Sequence, residues 1–244
     1  MRNLAKLTWI ELKLFVREPF AVIFTFAFPL VVLLVLMGSF NADDDGFGGA
    51  RPADYYLASY VGVVIGAVGL IAIPVHIGSY RERGILRRFR ASQVPVWQVL
   101  GAHLVVGFLM AALGGIVLIV AGKAIYDAKL PEAPVATIAS FVIAAASFLG
   151  IGLLIAAVTN SARSAQALGM LLFFPMWLLS GAGPPPSVMN DAMQTFSDLL
   201  PLTYVVRAIQ DPWLGDGVSP GSLAILVILL IIAGSASVRF LRQS

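Results

Sequence analysis

The chain has no cysteine, only two histidines, and 12% charged residues among its 244. Without cysteine there are no disulfides and no thiolate metal sites, and no redox compartment is specified. A soluble domain draws on roughly 25% charged residues, so a water-facing surface cannot be built from this stock. A phosphate-cradling Gly-x4-Gly-Lys-[Ser/Thr] loop is missing, since Gly122-Lys123 lacks the leading glycine. No cleavable leader is expected either. The first apolar run is longer than a signal h-region and has no small-x-small site before Asn41.

Long apolar runs are what the chain does have. Six stretches without a formal charge, each of 22 residues or more, cover 19–42, 55–80, 91–122, 133–162, 164–190 and 217–238. A helix needs about 20 mostly apolar residues to cross a ~30 Å hydrocarbon core. The mean hydropathy of +0.91 agrees. The pattern predicts an all-α polytopic membrane protein, one domain over 1–244, with six transmembrane helices. They are placed at about 20–40, 57–79, 97–122, 135–158, 165–183 and 219–238.

Charge between the spans predicts their orientation. Assigning the connecting segments alternately to two faces puts twelve basic residues and three acids on one, a net +9. The other holds four basic residues and ten acids, a net −6. The positive-inside rule places the first face, with both termini, in the cytoplasm of a bacterial cell whose inner (plasma) membrane the chain spans. The basic pI of 9.4 thus reflects juxtamembrane charge, and no nucleic-acid partner is expected.

The spans themselves offer little chemistry. His76 and His103 lie toward the cytoplasmic ends of spans two and three, where solvation at the interface is expected. Gly62 and Gly66 form a GxxxG that permits close helix approach, with Gly69 continuing the face, and intramolecular packing is the expected use. Pro29, Pro74 and Pro175 are expected to interrupt their helices. No catalytic set and no metal site is expected.

Two cytoplasmic elements carry more. Over 2–18, Arg2, Lys6, Lys13 and Arg17 fall within an arc of about 60° on a helix, opposite Leu4, Leu7, Leu14 and Phe15. That is an interfacial elbow helix, broken by Pro19. Glu11 and Glu18 sit on its apolar side, are too costly for lipid, and are expected to face protein. In the 81–95 loop, five arginines surround Ile85, Leu86 and Phe89 at helical spacing. This suits docking into a groove on an acidic or mixed protein partner, with anionic headgroups as the rival reading.

On the other face, Pro184-Pro185-Pro186 ends span five. Val188, Met189, Ala192, Met193, Phe196, Leu199 and Leu200 then recur on one helical face, stopped by Pro201. The following apolar piece, 199–206, is too short to cross. A re-entrant helical hairpin over 184–212 is predicted, with Arg207 paired to Asp211 or Asp198.

The segment Glu82-Arg83-Gly84-Ile85-Leu86-Arg87-Arg88-Phe89-Arg90, continuing through Ala91-Ser92-Gln93-Val94-Pro95, resembles the E-R-G-T-L-x-x-L-x-x-[ST]-P stretch of type-2 ABC exporter permeases. Ile85 stands for the usual threonine, and one extra residue precedes Pro95. Leu200-Pro201-Leu202-Thr203-Tyr204 is similar to that family's L-P-L-T-Y, and Arg17-Glu18-Pro19 to the R-x-P closing its elbow. The resemblance implies that residues 82–90 couple to a cognate nucleotide-binding subunit. It also implies that Glu11, Arg17 and Glu18 make elbow contacts, and that Leu200, Pro201, Leu202, Thr203, Tyr204 and Arg207 belong to an outer gate. ATP and magnesium would then bind on that separate ATPase, none in this chain. The lipid-embedded permease would be a homodimer or would pair with a homologous half. Apolar spans suit a hydrophobic or amphipathic cargo: a drug, an antibiotic or a lipid.

Two other classes fit the sequence less well. An intramembrane serine hydrolase would use Ser180, but both histidines lie toward the opposite side. A secondary carrier lacks the buried carboxylate it would need, and the halves show no repeat.

Overall fold

The computed structural model describes Trp9, Lys13 and Arg17 and residues 19–41, 46–84 and 96–243; side chains at 20, 21, 96–100 and 237–243 are not described. Among the described residues every regular element is helical. Helix α1 runs Pro19–Val22, a π-helical segment Ile23–Ala27, then Phe28–Ser39. Helix α2 runs Pro52–Ala67, a π segment Val68–Ala72, then Ile73–Glu82. There follow α3 Val96–Tyr126, α4 Pro134–Val158, α5 Ala162–Leu179, α6 Asp191–Leu199, α7 Pro201–Leu214 and α8 Pro220–Gln243. Helices α2, α3, α4 and α5 are long and apolar enough to cross a membrane, and Ile23–Ser39 and Pro220–Ala236 are shorter apolar helices.

Helix α2 is the axle of the bundle. It is buried along its apolar length, whereas α5 buries the smallest share of these four long helices. Helices α1, α3, α4, α5 and α7 all pack on α2, and α8 lies along α4. The expected GxxxG face is used inside the chain. A β-carbon at Gly62 would lie 3.3 Å from Val206 Cα, and one at Gly66 would lie 2.8 Å from Leu202 Cδ1. Helix α7 therefore seats directly on the Gly62–Gly66 face of α2.

Pro29 and Pro74 do not interrupt their helices, contrary to expectation. Each sits just after a π segment, where one extra residue per turn moves the clashing carbonyl aside. Phe28 N–H donates to Ile23 O, and Ile73 N–H to Val68 O, both five residues back. The next residue is proline in each case and has no N–H. The carbonyls of Gly69 and Leu70 are thus left by Ile73 and Pro74, and glycines from neighbouring helices meet them: Gly152 of α4 at Gly69 O, and Gly169 of α5 at Leu70 O. At the α1 bulge, a β-carbon on Gly114 of α3 would lie 3.3 Å from Thr25 O. Only glycine, with no β-carbon, lets these backbones approach so closely. Pro175 stays inside a continuous α5.

His76 and His103 also depart from expectation. Both are 1% exposed and not solvated. Their rings lie 5.3 Å apart, and Tyr80 packs 4.8 Å from His76 and 5.3 Å from His103. Six residues from the end of α2 is still within the axle, surrounded by other helices.

Candidate functional site

One end of the bundle is organised by the last turn of α2. Arg81 donates through Nη1 to the carbonyl of Thr159, the residue that ends α4. One residue on, Glu82 Oε1 accepts from Ala162 N–H at 3.0 Å, at the first residue of α5. Ser161 completes that start with a capping box, its hydroxyl accepting from Ser164 N–H at 3.0 Å. Arg83 N–H and Gly84 N–H close α2 on Ser79 O and Arg81 O, and Gly84 takes φ +65, a left-handed stop that favours glycine. Residues Ile85, Leu86, Arg87, Arg88, Phe89 and Arg90 lie outside the described residues, as do Glu11 and Glu18. Arg17 is exposed, and Lys13 Nζ sits 5.1 Å over the Trp9 ring.

At the opposite end, the Leu200-Pro201-Leu202-Thr203-Tyr204 motif forms a corner between α6 and α7. Asn190 caps α6, accepting from Met193 N–H at 2.9 Å. Leu200 is extended, and Pro201 takes the first helical position, where its missing N–H costs nothing. Leu202 is buried against Gly66. Thr203 Oγ1 donates to Ser197 O at 2.6 Å, and the Tyr204 hydroxyl to Asp198 O at 2.5 Å. The Thr203 hydroxyl thus joins Leu200 N–H on the Ser197 carbonyl, and the Tyr204 hydroxyl meets Asp198 O, both among the last carbonyls of α6. Arg207 Nη2 pairs with Asp198 Oδ1 at 2.6 Å, one of the two partners, Asp198 or Asp211, that the sequence left open. Gln210 is buried and donates to Ser59 Oγ at 2.5 Å. A neutral side chain suits that place on the α2 surface.

Three features escaped sequence reasoning. Asp54, 4% exposed, holds Arg51 through two bonds of 2.9 Å and accepts from Lys129 N–H at 2.7 Å, pinning the α3–α4 loop to the start of α2. That bond raises the Arg51 pKa above its ordinary value. Second, a cavity of about 420 Å³ opens between the 46–50 loop and α7, lined in part by Phe47, Tyr55, Ser187, Gln210, Asp211 and Asp216. Third, α1 and α5 share an aromatic belt. Phe28 lies 6.1 Å from Phe173, 5.9 Å from Phe174 and 5.3 Å from Trp177, and Phe24 lies 6.2 Å from Phe174. Trp177 Nε1 donates to the Tyr60 hydroxyl at 3.0 Å, tying the belt to α2. The spacings Phe24/Phe28 and Phe173/Phe174/Trp177 were the available signal.

Ser180 serves as a helix end. Its hydroxyl donates to Trp177 O at 3.1 Å and accepts from Ala182 N–H at 3.4 Å, at the α5 end remote from the α4–α5 turn that Glu82 and Arg81 hold. The arrangement provides a mechanical contact at one end and a buttressed corner at the other, joined by a buried axle. No curated protein matches the sequence. The ABC-2 type transporter family matches residues 2–212, and the chain belongs to it as a transmembrane component of such a transporter.

Proposed function

We infer that the chain is one permease half of an ATP-driven exporter, operated by a separate ATPase that docks on the arginine-rich segment from Arg83 to Arg90. The observation that carries this is the seat of that segment. It leaves α2, the most fully buried of the four long apolar helices among the described residues, directly after two side chains that hold the ends of α4 and α5. A push delivered there reaches three helices at once. In this reading Ile85, Leu86 and Phe89 fill a groove on the ATPase, and the arginines keep register. ATP and magnesium bind only on that partner.

Six crossings, an interfacial elbow over 2–18 and both termini in the cytoplasm complete the topology, with the plasma membrane as its site. The α6–α7 corner, with Leu200, Pro201, Leu202, Thr203, Tyr204 and Arg207, is the outer gate. A second copy or a homologous half closes the pathway. The α1–α5 aromatic belt supports a hydrophobic or amphipathic cargo, because flat apolar faces bind such molecules with few donors. Leu86→Asp combined with Phe89→Asp tests the docking. The wild-type chain solubilised in detergent should carry its ATPase through purification, and the double variant should lose it. Equal retention by both would overturn the reading.

A further inference from the structure

Resting on that reading, we propose that Arg81 and Glu82 act as positioning residues that grip the α4–α5 turn, so that displacement of the arginine-rich segment is delivered to α5. Glu82, the first of the residues that the resemblance assigns to coupling, is exposed with its Oε1 held by Ala162 N–H, and Arg81 beside it is partly buried. The stretch Ile73–Glu82 is fastened to α4 and α5 at two levels. At the π segment, Gly152 and Gly169 close on the carbonyls of Gly69 and Leu70. At the other level, Arg81 holds Thr159 O and Glu82 holds Ala162 N–H. Both intervals, 152 to 159 and 162 to 169, are seven residues, so the two levels stand about 10 Å apart.

Three short helical stretches fastened at both ends behave as one body. Gly78 leaves no slack between them, since a β-carbon there would lie 2.8 Å from Ala162 N. A helix transmits displacement along its axis, so movement at Glu82 must either carry the turn with it or break the two caps. The α5 helix that receives the movement bears Phe173, Phe174 and Trp177, the belt facing α1. The π segments mark where this body meets the outer half of the bundle, on which α7 is seated.

The cysteine-free sequence makes the test direct. A nitroxide on Arg163→Cys, an exposed position beside the turn, reports its mobility in the isolated chain. Glu82→Ala should raise the mobile fraction about fivefold, the effect of losing one helix cap. Glu82→Gln, whose amide oxygen can still accept from Ala162 N–H, should match the wild type. An unchanged label in Glu82→Ala, or equal mobilisation in both variants, would overturn the proposal. A second arm uses the chain with its ATPase bound and a nitroxide on Leu171→Cys of α5. ATP with vanadate should alter that spectrum in the wild type and in Glu82→Gln but not in Glu82→Ala, which still retains the ATPase. Loss of the ATPase from Glu82→Ala would show Glu82 to be a partner contact and would also overturn the proposal. If the wild type retains no ATPase, the functional reading fails and the first arm alone decides the grip.

Discussion

Gly152 presents its α-carbon to the carbonyl oxygen of Gly69 so closely that no β-carbon could be accommodated between them. Gly169 does the same to Leu70 O, and both carbonyls belong to the bulge that Pro74 imposes on α2. The proline, the π segment and the two glycines are one packing solution spread over three helices.

Gly152→Ala and Gly169→Ala should each destabilise the chain by about 1–3 kcal/mol through overpacking against backbone that cannot move aside. In a chain of this size that lowers Tm by about 2–4 °C for each kcal/mol. Gly101→Ala is the contrast, because nothing lies within 4 Å of its β-position and helix propensity favours alanine. Thermal unfolding in detergent should therefore separate the two bulge variants from Gly101→Ala, which stays at or above the wild type.

The α6–α7 corner predicts an order of effects. Thr203→Val removes the 2.6 Å bond to the buried Ser197 carbonyl, which keeps Leu200 N–H, and should cost about 1–1.5 kcal/mol, the worth of one buried neutral hydrogen bond. Arg207→Ala removes an ion pair whose side chains are 40% and 54% exposed, and should cost under about 1 kcal/mol, less at high salt. A larger loss of Tm for Arg207→Ala than for Thr203→Val would contradict this account of the motif.

Asp54→Ala takes the acceptor from both Arg51 and Lys129 N–H and should cost about 2–3 kcal/mol, the worth of bonds to a charged group. Asp54→Asn retains an oxygen for Lys129 N–H and should lose less. Protease nicking of the loop that precedes α4 should rise in the alanine variant and not in the asparagine one.

Much of this architecture was legible because membranes make strong demands on sequence. Charge-free runs marked every apolar helix that the structure describes, and the GxxxG at Gly62 and Gly66 correctly announced a close packing face within the chain. Pairwise facts between distant residues were not legible. Glu82 meets Ala162 across 80 positions of sequence, and Asp54 meets Lys129 across 75. The prolines signalled disruption, but whether a helix breaks or bulges depends on what fills the space beside it, and Gly152 and Gly169 supply that from other helices. His76 and His103 were misplaced for a related reason. Distance from a span's end says where a residue lies along the membrane normal, not whether other helices surround it. The apolar helical face stopped by Pro201 located the corner, while the roles of Thr203 and Tyr204 as donors to α6 carbonyls needed its geometry.

The most direct test of the central claim is labelling of single cysteines by a membrane-impermeant maleimide in right-side-out and inside-out vesicles. Arg87→Cys in the arginine-rich segment should react only in inside-out vesicles, and Asp216→Cys beyond α7 only in right-side-out ones. Labelling of Arg87→Cys from the external side would place that segment out of reach of any ATPase and would contradict the account.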